Sequence, residues 1–596
     1  MKGKRTHIYI MGAVIAIILG SFAVISFATL KDEGIAKKDT LARQARKFLL
    51  AQVENSATEK QVKKDPVPDN DPTVRGTLTD ILGNPMKGVI VSDGYTCTVT
   101  NDKGMYIFLR NKDARFVWYS VPADCAIPTH SAEDHTALFY KPLSAKHNVY
   151  NFTLKRLPNG PERNYRLIVF GDPQVTNAFS PYYTGPNGNP VRKSDVARFT
   201  DETMTDVKQT IAGWPPSMPV YAISMGDDVQ YYGGYNASLE RQIRKALGSS
   251  RAMVFSVIGN HDQDGRDLYL RKWEQSFGPT DYSFDRGGVH YVCLNDVHFY
   301  RGTLYWQPGE LTAAQMQWLK EDLQFVDHNK KVILCYHIPL TFGNHPRKGA
   351  ISLGLESEPG HYLSSVLSRV LKELDSFKGG YELFCGHTHF AINHEIEYHG
   401  RHILEHCHAA ACGNIWQSNI NICGTPNGYY VYALNGTSIS DSYYKGTFWP
   451  RTRQMTIFRA STVFNGESYA NDWELPMDKG VIIANVFNAD SRWHVVAVED
   501  GVEHEMKRIN HQGQDAFATG YHHRYSQSVS YQFVSKHNGY LIMNHLYYYE
   551  PHSAESRVLI KATDAYGNTY TASSGDAVTE PFFNFAHYYT SLKNRD

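Results

Sequence analysis

Five polar clusters hold the side chains of this sequence that are best suited to chemistry. Each cluster follows directly on a short apolar run and carries carboxylate, imidazole or amide oxygen groups. These groups are ligands that divalent metal ions bind in proteins. The clusters are Gly171-Asp172-Pro173-Gln174, Gly226-Asp227-Asp228, Gly259-Asn260-His261-Asp262, Tyr336-His337-Ile338-Pro339 and Gly386-His387-Thr388-His389.

Each cluster taken alone has an ordinary structural explanation. A Gly-Asn-His-Asp sequence is more often a turn, and an isolated Asp172 or His337 would be a cap or a hydrogen-bonded core residue. The recurrence of such clusters behind successive apolar runs makes coincidence improbable. We therefore interpret the five clusters as one metal site.

Buried strands alternating with helices must position these clusters. Apolar runs predict strands at Tyr165–Phe170, Val220–Met225, Met253–Ile258, Val332–Tyr336 and Leu383–Cys385. Amphipathic stretches predict helices at Asp195–Trp214, Ser238–Leu247, Asp267–Phe277, Thr312–Asp327 and Tyr362–Phe377, with Thr312 as an N-cap. The carboxyl ends of strands in an α/β sheet meet at one edge, so the clusters should converge there. An α/β domain is expected over residues 163–434.

The order and spacing of the clusters resemble the calcineurin-like metallophosphoesterase family. That family carries D-x-H, G-D, G-N-H-D/E, a strand-end His and G-H-x-H, and the resemblance covers Arg163–Leu434. It implies a hydrolase, either a phosphatase or a phosphodiesterase, in which two divalent metal ions activate a hydroxide that attacks a phosphate ester. The flanking segments resemble the N- and C-terminal modules that accompany an exported bacterial branch of the family.

The resemblance also implies a role for each position. Asp227 would bridge the two metals, His261 would face the substrate as general acid, and Gln174 stands where most of the family has His. The first metal would also take Asp172, Gln174 and His389, and the second would take Asn260, His337 and His387. Imidazole and carboxylate ligands favour Mn, Fe or Zn.

Several aromatic and polar residues near the clusters are candidates for substrate contact. Besides Asn260 and His261, these are Tyr232, Asn344 and Trp416. Packing is an equal alternative for the tyrosine-rich loop 231–235. Among the other histidines, His402, His406 and His408 would line the pocket floor or simply occupy a strand, and His290 is expected to be structural.

Two alternatives to simple ester hydrolysis stay open at the level of sequence. One is cleavage of a nucleotide or pyrophosphate at the same site. The other is a non-catalytic envelope binding protein whose metal site is vestigial. The nearly complete set of ligands weighs against the vestigial site.

The flanks of the α/β domain predict β-structure. Short strands separated by Gly, Asn and Asp turns predict one all-β sandwich over residues 73–157 and another over residues 447–592. With its G-x-P-x-x-G sequence at Gly83–Gly88 and its N-D-x-G-x-Y turn at Asn101–Tyr106, the first resembles a carboxypeptidase regulatory-like module.

The N-terminus predicts export. Lys2, Lys4 and Arg5 precede an apolar run, Ile8–Leu30, whose 23 residues would span roughly 34 Å as a helix. Residues 1–30 are therefore a signal anchor or a signal peptide cleaved after Ala28, and residues 31–72 form a tether. The bulk of the chain should lie outside the cytoplasm, in the periplasm or at the cell surface, with the N-terminal segment as a possible membrane attachment.

Charge and cysteine content bear on the kind of partner and on the number of disulfides. Lys+Arg and Asp+Glu both number 60 in the 596-residue chain, and the resulting zero net charge argues against a nucleic-acid partner and for a small or compact substrate, which the family resemblance implies to be a phosphoester. Eight cysteines in so long a chain do not form a disulfide scaffold, and only Cys97 with Cys125 is a candidate pair.

Overall fold

The structure is a computed structural model of the chain. It describes residues 72–179, 183–184, 189–231, 236–300, 303–304, 309–341, 365–413, 415–416, 418–421, 423–461, 480–512, 515, 518 and 542–575. The predicted N-terminal helix at Ile8–Leu30, nearly all of the tether, Tyr232 and Asn344 lie outside these residues. No helix within the described ranges is long and apolar enough to cross a membrane.

The N-terminal module consists of two small sheets. Three strands pair in the order β4-β1-β7 and four in the order β3-β2-β5-β6. Strand β1 alternates between half-buried and buried residues, which is the period of a strand with one face on the core. The strands are β1 (Thr73–Asp80), β2 (Ile90–Ser92), β3 (Cys97–Val99), β4 (Met105–Leu109), β5 (Phe116–Tyr119), β6 (Tyr140–Pro142) and β7 (Phe152–Leu154).

The first sheet of the central α/β domain has five strands in the order β12-β11-β8-β21-β22. Strands β12, β11 and β8 are parallel, and β21 runs antiparallel to β8 and to β22. The bounds are β8 (Asn164–Phe170), β11 (Val220–Ser224), β12 (Met253–Ser256), β21 (Gly428–Asn435) and β22 (Ser438–Gly446). The sheet therefore continues through β22, beyond the Leu434 boundary that the sequence predicts, because polar Ser438–Gly446 does not resemble a buried strand.

The second sheet has six strands in the order β13-β14-β17-β18-β20-β19, of which the four central strands are parallel. The strands are β13 (Tyr282–Arg286), β14 (Val289–Cys293), β17 (Lys331–Cys335), β18 (Tyr381–Cys385), β19 (Ile392–Tyr398) and β20 (Arg401–Cys407). Two hairpins lie outside the main sheets: β9 (Tyr183–Thr184) with β10 (Pro190–Val191), and β15 (Phe299–Tyr300) with β16 (Thr303–Leu304).

Burial on both faces of β8 shows how the layers are arranged. Leu167 and Val169 belong to the core that also contains Ile333 and Leu383 of the second sheet. Ile168 and Phe170 face a separate core formed with helices. Both faces of the strand are apolar, as expected for a buried parallel strand. The mixed α/β fold that the sequence predicts is confirmed.

The helices lie close to their predicted positions. The first predicted helix is observed as α1 (Asp195–Arg198), a π-helical turn (Phe199–Thr203) and α2 (Met204–Ala212). The others are α3 (Ala237–Leu247), α4 (Asp267–Phe277), α5 (Ala313–Leu323) and α6 (Ser365–Leu374). Thr312 is the predicted N-cap of α5 and forms a capping box with Gln315.

The C-terminal module has two four-stranded sheets, in the orders β23-β24-β28-β27 and β26-β25-β29-β30. Their facing side chains, including Ile457, Ala497 and Ile560, form a separate core. The strands are β23 (Met455–Arg459), β24 (Ile482–Val486), β25 (His494–Glu499), β26 (Val502–Glu505), β27 (Lys507–Gln512), β28 (Ile542–Tyr549), β29 (Leu559–Thr563) and β30 (Thr569–Ser573).

The N-terminal module shares its core with the central domain. The rings of Trp118 and Trp318 meet edge to face with centroids 5.9 Å apart, and both side chains are fully buried. Arg115 donates two hydrogen bonds of 2.5 Å to the carboxylate of Glu274. The N-terminal module and the central domain therefore pack against each other through one continuous core.

The candidate disulfide between Cys97 and Cys125 is not formed, and all eight cysteines are free and buried. Cys97 begins β3, where its backbone N–H donates to Glu321 of α5. Cys125 pairs instead with Arg156 in an isolated bridge. Burial raises the pKa of both thiols, as expected for inert core cysteines.

Candidate metal centre

The five clusters converge at the carboxyl edge of the two sheets. Asp172 follows β8, Asp227 follows β11, and Asn260 lies in the loop after β12. From the second sheet, His337 follows β17 and His387 and His389 follow β18. The convergence that the alternation of strands and helices predicts is therefore observed.

Asp227 occupies the middle of two groups of side chains that could hold a metal ion. Asp227, His337 and His387 form one group, and Asp172, Asp227 and His389 form the other. Within each group the candidate ligand atoms all lie within 4.8 Å of one another. Only Asp227 belongs to both groups, so its carboxylate is the group that the two candidate sites share.

Asn260 completes the second group. Its Oδ1 lies 3.0 Å from His337 Nε2 and 2.8 Å from His387 Nδ1. His337 Nε2 is also 3.3 Å from Asp227 Oδ2. Two imidazole nitrogens, one amide oxygen and one carboxylate oxygen thus face a common point, a donor set that suits a first-row transition metal.

Gln174 lies beside the first group and offers an unpaired oxygen. Its side-chain amide donates to Gln230 Oε1 at 2.7 Å, while its own Oε1 is buried without a hydrogen-bond partner among the described residues. A buried amide oxygen without a partner is costly. A cation at this position would satisfy it, so the residue fits a ligand role.

The loops that carry the ligands are strained. Asp172, Gln174, Asp227, His387 and His389 all adopt positive φ, with values between 35° and 72°. Non-glycine residues pay of order 1 kcal/mol or more for such conformations, and these persist where the surroundings impose them. Gly226 allows the close packing, because a Cβ there would lie 2.6 Å from His337 Nδ1.

Neighbouring groups hold the ligands in place. The His337 Nδ1 is 2.8 Å from the carbonyl oxygen of Met225, which leaves Nε2 directed at the centre. Asp296 accepts hydrogen bonds from the backbone N–H groups of His337 and Ile338. Asp262 accepts from the N–H groups of Gly259 and Val229, and so ties two ligand loops together.

Burial and neighbouring charges shift the pKa values of the candidate ligands. Burial raises the pKa of Asp172 well above its ordinary value. Burial opposes protonation of His337, but the carboxylates of Asp227 and Asp172 outweigh it and raise its pKa to about 10. Burial lowers the pKa of His389 to about 4 and that of His387 well below its ordinary value, so both are neutral and able to bind metal. A cation beside these buried carboxylates would offset the cost of burying their charge, and the two neutral imidazoles could bind it.

His261 lies at the edge of the centre. Its backbone N–H donates to Asp227 Oδ1 at 2.7 Å, and its side chain keeps 14% exposure. Its Nε2 is 4.0 Å from Asp227 Oδ2. Burial lowers the pKa of His261, and the Asp227 carboxylate partly opposes this. The imidazole therefore lies beside the Asp227 carboxylate and keeps part of its surface in contact with solvent.

Trp416 requires a correction to the predicted substrate contacts. Its side chain is fully buried, and its indole N–H donates to the carbonyl oxygen of Pro173 at 2.8 Å. It supports the Asp172 loop from beneath and has no surface for a substrate.

The three histidines in and just after β20 bond to neighbouring polar groups, and His402 bonds to Glu397. His406 bonds to Asn393 and Glu382, and His408 bonds to Tyr432 and the Cys385 carbonyl. They do not form a pocket floor.

Two carboxylates that support the ligand loops, Asp296 and Glu405, were not predicted from the sequence. Asp296 follows the apolar strand β14 as the ligand clusters follow theirs, and this signal could have identified it. Glu405 accepts hydrogen bonds from Tyr336 Oη and from Leu340 N in the loop after His337. Its signal was a carboxylate inside the stretch Ile403–Cys407, in which every residue is buried.

Family comparisons agree with this geometry along most of the chain. Residues 165–391 match the calcineurin-like phosphoesterase model, residues 72–157 match the model for the N terminal of that enzyme, and residues 405–570 match the model for its C terminal. The chain belongs to the calcineurin-like phosphoesterases. It is a phosphoester hydrolase of the metallophosphoesterase type, as the resemblance in its motifs implies.

Solved structures similar to this phosphoesterase include two phosphatases. A dimetal phosphatase from Danio rerio is 13% identical, with 48% of this chain and 96% of that chain covered and a TM-score of 0.30. The purple acid phosphatase PPD1 from yellow lupin (Lupinus luteus) seeds is 13% identical, with 60% and 69% covered and a TM-score of 0.31. No curated protein matches the chain in sequence.

Proposed function

We propose that this phosphoesterase hydrolyses a compact phosphate ester at a dinuclear centre. Asp172, Gln174, Asp227 and His389 would hold the first metal, and Asp227, Asn260, His337 and His387 would hold the second. The observation that carries the proposal is the position of Asp227 in both candidate ligand groups. The unpaired Gln174 Oε1 supports it.

Two divalent ions, when bound, would neutralise phosphoryl oxygens and supply a hydroxide nucleophile near neutral pH. The nitrogen and oxygen ligands favour Mn, Fe or Zn over Mg or Ca. The chain's own residues fix the ligands, because Met225 and Asp296 orient His337 and Asp262 joins the loops of Asp227 and Asn260.

His261 is the proposed general acid. Its backbone is anchored to Asp227 while its imidazole reaches the solvent-facing side of the centre. The negative charge of a bound phosphoryl group favours the protonated imidazole and opposes the effect of burial. His261 can then donate its proton to the departing ester oxygen.

A metal-dependence assay on the full chain tests the proposal. Protein dialysed against a chelator should be inactive on aryl phosphomonoesters, aryl phosphodiesters and nucleotides, and added Mn²⁺ should restore hydrolysis of at least one class. Glu397→Gln, an exposed carboxylate change away from the centre, is the matched control for Asp227→Asn. Hydrolysis that survives chelation unchanged, or its absence on every class with Mn²⁺, Fe²⁺ and Zn²⁺, would refute the proposal.

We also propose that the chain is exported, with its catalytic domain outside the cytoplasm. The basic flank and the length of Ile8–Leu30 support this. A reporter fused after Asp596 should be active outside the membrane, and a cytoplasmic signal would contradict the proposal.

A further inference from the structure

The turn at Pro173, between the proposed ligands Asp172 and Gln174, is held from two sides. On one side, the backbone N–H of Gln174 donates to the Asp227 carbonyl at 2.6 Å, and Val175 pairs with Val229. On the other side, Trp416 donates its indole N–H to the carbonyl of Pro173 at 2.8 Å. Proline has no backbone N–H, so this carbonyl is the only backbone hydrogen-bonding group of the residue.

Trp416 is in turn held by Arg198. The Arg198 guanidinium donates to the Trp416 carbonyl at 3.0 Å, lies over the indole ring at 5.1 Å from its centroid, and also donates to Asn419 Oδ1. Only 1% of the Arg198 surface is exposed, and its Nε lies 3.2 Å from a carboxyl oxygen of Glu202. A buried arginine with this many contacts fixes the position of Trp416.

Arg198 lies at an irregular point of its helix. It is the last residue of α1, immediately before the π-helical turn Phe199–Thr203. Such π-helical turns occur mostly as single insertions into α-helices and frequently at functional sites. Here the guanidinium is directed from the helix towards Trp416 and Asn419.

The backbone of the turn at Pro173 is strained, so its shape depends on the hydrogen bond from Trp416. Asp172 has φ of 35° and Gln174 has φ of 39°, so both residues that flank Pro173 are in the left-handed region. Such a turn keeps its shape only while its surroundings impose it. If the indole hydrogen bond is removed, the turn can relax, and the Asp172 and Gln174 side chains move with it.

We propose that Arg198 and Trp416 are positioning residues for the first metal site, acting through the Pro173 carbonyl. This inference rests on the proposed assignment of Asp172 and Gln174 as ligands. The second site receives its ligands from other loops, apart from the bridging Asp227, and should be affected less.

Trp416→Phe tests the inference because it removes the indole N–H and keeps an aromatic ring. Trp318→Phe is the matched control: Trp318 is also fully buried, and its indole N–H donates to Ser92 Oγ at 3.0 Å in the interface with the N-terminal module. Each full-length variant is dialysed against graded chelator, and its metal content, its thermal midpoint and its Mn²⁺ requirement are measured.

Trp416→Phe should lose one metal per chain at a chelator concentration that leaves two in the Trp318→Phe protein. Its Mn²⁺ concentration for half-maximal activity should rise about tenfold or more, the range for lost groups that orient metal ligands. Excess Mn²⁺ should restore turnover, which general destabilisation would not allow. Arg198→Lys should shift the Mn²⁺ requirement in the same direction.

Equal metal retention in the two tryptophan variants would overturn the inference and leave the metal assignment intact. Equal loss in both, with equally lowered thermal midpoints, would also overturn it, because the effect would then be one of overall stability. A native chain that binds no metal at all would instead overturn the proposed function, and the role of the pair with it.

Discussion

The central domain contains two buried clusters of histidine and carboxylate that differ in how far their polar atoms are paired. His290 lies between Asp285 and Asp322, with each ring nitrogen 2.8 Å from a carboxylate oxygen, and Lys330 neutralises Asp285 further at 2.6 Å. In the metal centre, several acceptors converge on one point and Gln174 Oε1 has no hydrogen-bond partner among the described residues. In the first cluster both ring nitrogens are paired with carboxylates, whereas the second leaves an acceptor oxygen that a cation could satisfy.

The two clusters also differ in backbone conformation, which is regular in the first and strained in the second. His290 sits in the regular strand β14. Of the eleven non-glycine residues with positive φ in the described parts of the chain, five are proposed metal ligands. Strain combined with unsatisfied acceptors, rather than the presence of histidine and aspartate, therefore distinguishes a functional cluster from a stabilising one.

The largest expected effect is the loss of the bridging carboxylate. Asp227→Asn should abolish retention of both metals and lower kcat by about 10³-fold or more, because metal ions contribute several kcal/mol to the transition state. The matched change Asp322→Asn in the His290 cluster should lower the unfolding midpoint and leave metal content unchanged. Elemental analysis and calorimetry separate the two, and equal metal loss in both variants would contradict the comparison.

His261→Ala should come next in size. It should keep both metals and lower turnover by about 10²–10⁴-fold, which is the usual contribution of a general acid. The loss should be greater for esters with poor leaving groups, since a good leaving group needs no proton. His402→Ala, a partly exposed histidine of β20, is the control. Undiminished hydrolysis of an ester with a poor leaving group would show that His261 is not the general acid.

The stability contributed by the His290 cluster should depend on pH. Burial opposes its protonation, but Asp322 and Asp285 outweigh this and raise the pKa of His290 from 6.5 to about 9. Its stabilisation is therefore fully present below about pH 6.5 and is lost as the pH rises through 9. The shift corresponds to ~3 kcal/mol.

Measurements of unfolding midpoints check this expectation. The difference in midpoint between the native chain and His290→Gln should be several degrees at pH 6 and should shrink by pH 10. The metal content of the variant should match that of the native chain at both values. A difference that grows with pH would show that His290 is buried as the neutral ring.

Local patterns in the sequence were sufficient to predict the elements that carry the site. Helix α4 occupies its predicted bounds, Asp267–Phe277, because its amphipathic pattern is unbroken and Gly278 ends it. The ligand clusters were found because each follows an apolar run. These signals are local in the chain, and the common edge of the sheets then brings the clusters together.

Long-range packing could not be predicted in the same way. Nothing in the local sequence of Trp416 distinguishes an aromatic that contacts substrate from one that supports a loop 243 residues away. The core shared by Trp118 and Trp318 likewise depends on how two modules meet. For the same reason an isolated central domain would expose apolar surface that the N-terminal module covers.

The smallest expected effect concerns Gln174, the residue at which this chain departs from most of its family. An amide oxygen is a neutral and weaker ligand than imidazole for first-row transition metals. The first site should therefore release its ion before the second during dialysis against a mild chelator, leaving about one metal per chain and little activity. Gln174→His should raise retention at the first site by about tenfold, since an imidazole can bind metal through one nitrogen and donate to Gln230 through the other.

Gln174→Asn is the control, because it keeps the amide but shortens its reach to Gln230 Oε1. Elemental analysis decides: two equally retained metals in the native chain, with no gain from Gln174→His, would show that the unpaired amide oxygen of Gln174 does not bind metal.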